Sequence, residues 1–257
     1  MFSKNKVKYI HSLALKKRRT EEGVFVAEGR KLVGELLPHF SAVYVAATRE
    51  WYEENEVLRS FLPQEADTVT EEELRRASLQ ESPQGVIAVL RQRSGTAELA
   101  EVAQRELCLV LDGVQNPGNL GTIVRIADWF GIRHVFCSPS TADIYNPKTV
   151  QATMGSMARV GVHYVDLPSA LDSLSSCSAD IPVYGTFLDA PSMYDTTLSE
   201  HGVIVMGNEG NGISPLVADR VSHKLHIPPF PAGSPTAESL NVAIATAIVC
   251  AEFRRRQ

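Results

Sequence analysis

The chain lacks the signatures of several large functional classes. Its four cysteines, Cys108, Cys137, Cys177 and Cys250, are scattered, with no CxxC pair and no histidine nearby at metal-ligand spacing. A disulfide framework or a zinc site is therefore not expected, and the thiols read as reduced. No apolar run reaches the length of a membrane span. The opening Met-Phe-Ser-Lys-Asn-Lys has no apolar core of the kind a signal peptide carries. The expectation is a cytoplasmic protein without a membrane partner. Internal repeats and low-complexity tracts are missing too. So is a GxGxxG turn with an acidic residue about twenty positions later, which weakens a dinucleotide site.

What is present is ordinary in bulk and uneven in detail. The 257 residues are 44% hydrophobic and 21% charged, as in a soluble globular protein, and long enough for two small domains or one large one. The net charge is −5, yet residues 1–31 hold nine Lys or Arg against three Glu, a local excess of six positive charges. Lys16, Lys17, Arg18, Arg19, Arg30 and Lys31 are the candidates for contact with a polyanion, with a solvated helix face as the alternative.

Two halves separate at a polar stretch without strand pattern. The expected division is residues 1–92, a linker at 93–105 that has room for a helical turn or two, and residues 106–257. In the first half, residues 4–18 form a basic helix candidate, with strands expected at 24–27, 42–46 and 84–90. Helices are expected at 29–37 and 71–78, the latter with Thr70 as cap and Glu73 at the capping-box position. The second half alternates apolar strand candidates (107–111, 134–137, 161–165, 182–188, 203–206, 224–227) with helix candidates (120–130, 147–157, 169–175, 215–221, 239–255). That alternation predicts a largely parallel sheet covered on both faces.

Three segments of the second half gather polar residues where strands end and helices begin, the place where open α/β sheets bind ligands. In Leu111-Asp-Gly-Val-Gln-Asn-Pro-Gly-Asn-Leu-Gly-Thr-Ile-Val-Arg125, Asn119 stands at the mouth of a helix, and Arg125 lies off its buried stripe of Ile123, Ile126, Ala127 and Phe130. Asn119 has the alternative of simply capping that helix, and Arg125 of pairing with Asp128 one turn on. The second segment, Met206-Gly-Asn-Glu-Gly-Asn-Gly-Ile-Ser214, is a glycine-rich loop around Glu209 after a buried strand. The third, Glu238-Ser-Leu-Asn-Val242, follows a proline-rich loop. Ser239 is a natural helix cap there, while Asn241 in a first turn is hard to explain by stability. The helix it opens is almost wholly apolar to Ala251, and Arg254-Arg-Arg256 at its far end suits the helix dipole.

In this order the three segments resemble the motifs of the SpoU/TrmH-like ribose methyltransferases of the SPOUT superfamily, over roughly residues 107–256. Phe25-Val-Ala-Glu-Gly-Arg-Lys-Leu-Val33 and Ser82-Pro-Gln-Gly-Val-Ile-Ala-Val89 resemble, less specifically, that family's small substrate-binding domain. The resemblance implies an α/β fold: a small N-terminal α/β substrate-binding domain and a mostly parallel sheet domain ending in a deep trefoil knot. It implies S-adenosylmethionine as cofactor, lined by Thr186, Met206, Gly207, Ile227 and Leu240, and a homodimer with the active site near its interface. Arg125 matches the motif arginine. Because guanidinium stays protonated, its expected role is at the substrate phosphate and ribose. Asn119 would position the ribose or support Arg125, and Glu209 would orient its loop. Ser239 and Asn241 would bind phosphate or shape the knot.

The chain departs from the family in residues 228–237, which are about three residues longer by motif spacing, leaving the roles of Ser234 and Thr236 open. The leading expectation is S-adenosylmethionine-dependent RNA 2′-O-ribose methylation, with large-subunit ribosomal RNA as substrate and tRNA as runner-up. A non-catalytic RNA-binding protein is a second class, disfavoured because Asn119, Arg125, Glu209 and Asn241 are all present. A nicotinamide-dependent oxidoreductase is a third, suggested by α/β alternation alone.

Overall fold

The computed structural model describes residues 2–177, 180–231 and 237–255. Ser234, Thr236 and Arg256 lie outside the described residues. In chain order the elements are α1 (Lys4–Ser12), α2 (Lys16–Glu22), β1 (Val24–Glu28), α3 (Arg30–Leu36), β2 (Ala42–Ala47), α4 (Arg49–Glu54), β3 (Ala66–Thr68), α5 (Glu71–Ala77) and β4 (Val86–Arg91). There follow α6 (Leu99–Ala103), β5 (Leu107–Leu111), α7 (Pro117–Trp129), β6 (His134–Cys137), α8 (Pro147–Thr153), β7 (Gly161–Tyr164), α9 (Leu167–Asp172), β8 (Val183–Thr186), β9 (Gly202–Met206), α10 (Pro215–Ala218), β10 (His223–Leu225) and α11 (Val242–Arg255). They form two compact units: Met1–Ser94 with Asp143–Ala158, and Gly95–Ala142 with Arg159–Gln257.

The first unit is built on a four-stranded sheet of order β1-β4-β2-β3, antiparallel except for the β2–β3 edge. Alternation along the strands sends Val24, Val26, Tyr44, Ala46, Ile87 and Val89 to one face, where Ile10 and Leu13 of the N-terminal segment and Leu74 and Ala77 of α5 cover them. Phe25 points the other way. It meets the ring of Phe40 edge-on at 5.2 Å and the tilted ring of Tyr145 at 5.0 Å. Tyr145 belongs to the late segment 143–158, so a stretch distant in sequence completes this core. The capping box of α5 is formed as expected, with Glu73 N–H donating to Thr70 and Thr70 N–H donating back to Glu73.

The basic stretch 4–18 is two helices rather than one. Leu13 turns into the core, and Arg19 donates from one Nη to the carbonyls of Leu13 and Ala14, both at 2.8 Å, which satisfies the groups freed by the break. Its other Nη reaches Asp143 at 2.6 Å. Two elements carry no apolar periodicity and escape the sequence reading: α4, whose first and last turns are charged, and the three-residue edge strand β3. The polar stretch 93–105 holds α6, which buries Leu99 and Ala103 in the core of the second unit.

The second unit is a six-stranded sheet of order β10-β8-β9-β5-β6-β7, parallel at every pairing. Its middle strands β5 and β9 are buried at every residue because helices cover both faces, which explains their unbroken apolar sequences. Cys108, Val110, Phe136, Val203 and Val205 face α6, α9 and α10. On the opposite face α7 and α11 pack together, and Phe253 meets Tyr184 of β8 edge-on at 5.0 Å. Burial pushes the Cys250 thiol up to about 12 and raises those of Cys108 and Cys137 as well, so these three are inert packing groups. Among the described residues no helix is long and apolar enough to cross a membrane.

Candidate active site

The first polar segment leaves the carboxyl end of the central strand β5 and turns into α7. Asn116, not Asn119, caps this helix. Its side-chain oxygen accepts from the N–H groups of Gly118 at 2.8 Å and Asn119 at 3.2 Å, with Pro117 at the first helical position. Asn119 is thereby free of capping and sits in the first turn. The third segment repeats the device one residue set later than expected. Asn241, not Ser239, caps α11, accepting from Ala243 N–H at 3.0 Å and Ile244 N–H at 3.3 Å. The hard-to-explain asparagine is therefore the cap, and Ser239 lies exposed two residues before it.

These two asparagines meet. The oxygen of Asn241 is committed to the cap, so its amide nitrogen points outward and donates to Asn119 Oδ1 at 3.1 Å. Asn119 must then present its own nitrogen, which donates to Glu209 Oε1 at 2.9 Å. Each amide orientation follows from its neighbour, with the helix cap setting the direction of the relay. Three segments far apart in sequence thus deliver one ordered row of polar groups ending in an exposed carboxylate.

The glycine-rich loop that carries Glu209 is closed by reciprocal backbone hydrogen bonds between Asn208 and Gly212, at 2.9 and 3.0 Å. A Cβ on Gly207 would lie 2.2 Å from the Gly212 backbone, so only glycine permits this closure. The loop is also stitched to the first segment away from the relay. Asn208 Nδ2 donates to the Gly113 carbonyl at 2.7 Å, and Asp112 accepts the Ser214 N–H at 2.7 Å. Sequence reasoning passed over Asp112 and Asn208. An asparagine directly before a glycine-rich turn is a signal for local side-chain to backbone bonding, and it was available for Asn208.

Arg125 is exposed on α7 and forms no hydrogen bond or ion pair among the described residues. The alternative pairing with Asp128 is not made. Arg159 takes that carboxylate from two nitrogens, Nε at 3.0 Å and Nη2 at 2.8 Å. Helices α7 and α11 run parallel and are joined near both ends, by Asn119–Asn241 and by Arg254 Nε donating to the Phe130 carbonyl at 2.8 Å. Arg125 therefore stands on a braced helix with its guanidinium available to a ligand.

Thr186, Met206 and Gly207 lie at the carboxyl ends of β8 and β9, and Thr186 Oγ1 reaches the Met206 sulfur at 3.9 Å. Ile227 follows β10 and is half-buried, and Leu240, just before the α11 cap, is 50% exposed. All five lie along one edge of the sheet or on the segments leaving it, the edge from which Asp112 and Asn208 also emerge. Among the described residues no group of three or more His, Cys, Asp or Glu could hold a metal.

The basic residues of the first unit divide. Arg19 is 1% exposed and bonded through both Nη atoms to Leu13, Ala14 and Asp143, which withdraws it from surface contact. Arg30 is paired with Glu50 at 2.9 Å and Glu54 at 2.6 Å, and Arg18 with Glu21 and Glu22. Lys17 comes only to 3.9 Å of Glu21, while Lys16 and Lys31 are exposed with no ion pair among the described residues. The positive excess counted along the chain is thus partly neutralised in space by Asp67, Asp143, Glu50 and Glu54, all from outside the counted stretch.

With this geometry in place, comparison with known proteins is informative. Residues 106–251 match the SpoU rRNA Methylase family, and residues 4–88 match the MRM3-like substrate binding domain. The chain is 31% identical over 256 residues to the 23S rRNA (guanosine(2553)-2′-O)-methyltransferase RlmP of Bacillus subtilis, covering 97% of this chain and 96% of that one. The structure of a TrmH-family protein from Porphyromonas gingivalis superimposes with a TM-score of 0.86 at 40% identity, covering 100% of both chains. An AdoMet-bound rRNA methyltransferase from Sinorhizobium meliloti does so with a TM-score of 0.85 at 28% identity, covering 100% of this chain and 97% of that one. The ordered motifs, the parallel sheet that carries them and these full-length likenesses agree: the chain belongs to the SpoU rRNA methylase family.

Proposed function

We propose that this protein transfers a methyl group from S-adenosylmethionine to a ribose 2′-hydroxyl of large-subunit ribosomal RNA. The observation that carries the reading is the Asn241–Asn119–Glu209 relay, in which one residue from each motif meets in a single row at the carboxyl edge of the sheet. The RlmP likeness over nearly the whole chain supports ribosomal RNA as the acceptor.

The residues present fit the cofactor. Ile227 and Leu240 offer accessible apolar surface, Thr186 adds a hydroxyl beside the Met206 sulfur, and Gly207 continues the backbone from the same strand end. These five would hold S-adenosylmethionine, which when bound supplies an electrophilic methyl carbon on a good leaving group. Transfer of that carbon to the ribose 2′-oxygen would leave the demethylated thioether and release the hydroxyl proton to solvent. Arg125 remains protonated, so its work is to grip an adjoining phosphate and steady the charge that builds on the oxygen. Asn119 and Glu209 orient the ribose, and Asn241 holds Asn119 in its amide orientation. Ser239 contacts phosphate, a role its exposure beside that cap supports. Most of the acceleration comes from holding oxygen and methyl carbon in line.

Three further features belong to this reading. The C-terminal segment is threaded as a deep trefoil knot; what supports this is the return of the chain from the edge strand β10 to the side of α7. The protein works as a homodimer through α7 and α11. On α11, Ile244, Ala247, Ile248 and Ala251 form an apolar stripe at helical spacing that is exposed or half-exposed, and on α7 Trp129 is 85% exposed. The first unit grips RNA in the cytoplasm through Lys16, Lys17 and Lys31, with Arg18 and Arg30 exchanging carboxylate partners for phosphates.

The test is transfer of labelled methyl from S-adenosylmethionine to total RNA of cells lacking this protein, with Arg125→Ala as control. Label in large-subunit RNA, alkali-resistant at one dinucleotide and lost in the variant, is the expected result. Label confined to tRNA overturns the substrate, and no label in any RNA overturns the reaction.

A further inference from the structure

The relay explains how Glu209 is held from its carboxylate end, by Asn119. Nothing in it fixes the loop from which Glu209 projects. The loop is closed on itself by the Asn208–Gly212 backbone pair, but a closed loop can still tilt as a body. It is attached to the first motif at its far end, where Asp112 accepts the Ser214 N–H, and beside Glu209 by the residue just before it. Asn208 Oδ1 accepts from the N–H groups of Gly210 at 2.9 Å and Asn211 at 3.0 Å, fastening the turn, while its Nδ2 donates to the Gly113 carbonyl at 2.7 Å. One side chain therefore grips the loop with its oxygen and the first motif with its nitrogen.

The anchor it grips is itself rigid. Gly113 donates its own N–H to Ser138 Oγ at 2.9 Å, so this glycine is held on both its N–H and its carbonyl. Ser138 is 7% exposed and lies 3.1 Å from Thr141 Oγ1, which donates to the Leu111 carbonyl at the end of β5. The line runs from a buried hydroxyl cluster on the segment leaving β6, through Gly113 and Asn208, to Glu209. Gly113 has φ +74°, a left-handed backbone conformation that favours glycine at this anchor.

We propose that Asn208 is a positioning residue for methyl transfer, acting through Glu209. This rests on the methyltransferase reading above. Asparagine suits the task because it needs an acceptor and a donor on one short side chain. Aspartate keeps the two bonds to the turn and loses the donor to Gly113, placing a carboxylate against a carbonyl oxygen. Serine is too short to span both partners.

The experiment is a double-mutant cycle of Asn208→Asp and Glu209→Ala, read as single-turnover methyl transfer to ribosomal RNA with S-adenosylmethionine affinity measured in parallel. Asn208→Asp alone is expected to slow transfer about 10- to 100-fold, the scale for a misplaced site group, with KM for RNA and the cofactor Kd within about twofold. In the Glu209→Ala background the same substitution is expected to cost almost nothing. Should Asn208→Asp fail to fold, as judged by its thermal transition, Asn208→Ser serves in the same cycle. An equal loss in both backgrounds, a rate matching the parent, or a cofactor Kd that worsens in step with the rate each overturns the proposal. A parent protein that transfers no methyl to any RNA overturns the underlying reading instead.

Discussion

Asn119 accepts a 3.1 Å hydrogen bond from the amide of Asn241, a residue 122 positions later in the chain. The bond joins the first turns of two parallel helices, and the same Asn241 caps the second of them. One side chain therefore serves stability and site geometry together, and the two roles can be separated by experiment.

Asn241→Ala removes the cap of α11 and the donor to Asn119. Loss of the cap is expected to cost about 1 kcal/mol of stability. Methyl transfer is expected to fall by about tenfold or more, because Asn119 then keeps only its bond to Glu209 and loses the donor that holds its oxygen. Asn241→Ser restores a capping oxygen without the donor. It should recover the thermal transition and leave the transfer rate low. Recovery of both would mean that the bond to Asn119 contributes nothing to the site.

Ile244→Glu places a charge at the first position of the apolar stripe on α11. Ile244 is 54% exposed, so the substitution should leave the monomer folded while destroying an interface that buries the residue. Light scattering is expected to give a dimer for the parent and a monomer for the variant. A monomeric parent would remove α7 and α11 as a homodimer surface.

Arg19 and Lys31 are both basic residues of the first unit, and their substitution should give opposite phenotypes. Arg19→Ala strips a buried cation from Asp143 and from two carbonyls, a loss on the order of 3 kcal/mol or more. It should lower the thermal transition clearly. Lys31→Ala touches no ion pair among the described residues, so stability should stay within about 0.5 kcal/mol. RNA affinity should weaken, with a shallower salt dependence. Unchanged RNA affinity and salt slope would take Lys31 out of the contact.

His163 makes the second unit acid-sensitive. Its Nδ1 accepts the Ala97 N–H at 3.2 Å, which leaves the proton on Nε2, where it faces His134 Nδ1 at 3.1 Å. Glu106 lies 3.8 Å beyond, at His134 Nε2. Burial, with the neighbouring His134 adding to it, holds the His163 pKa below its ordinary 6.5. The unfolded chain therefore takes up protons first as pH falls through about 6.5, and the folded state loses stability from there down to the lowered pKa. Thermal transitions measured from pH 8 to pH 5 should fall over this range in the parent. They should fall less in His163→Gln, where Oε1 can replace the acceptor; equal slopes would exclude His163 as the source.

Much of the site was legible in the chain because it is local. Glu209 among glycines and Arg125 off the buried stripe of its helix are departures from what stability alone asks of those positions. The strands β5 and β6 end where their apolar runs end. Proline and asparagine at 116–117 mark the start of α7, yet Asn119 competes for the same role by residue type. Only backbone geometry decides which asparagine caps and which is released.

The amino-acid sequence by itself determined most of the elements, the alternation that builds the parallel sheet and the set of polar residues, because periodicity and turn chemistry are properties of neighbours. Tertiary structure alone decided what depends on residues far apart in the chain. It paired Asn119 with Asn241 and Glu209, gave Arg159 rather than Arg125 to Asp128, buried Arg19 against Asp143, and completed the first core with Tyr145 from the late segment. Hydrogen bonds and charges act at about 3 to 4 Å, and no pattern along the chain encodes which groups the fold will bring within that distance.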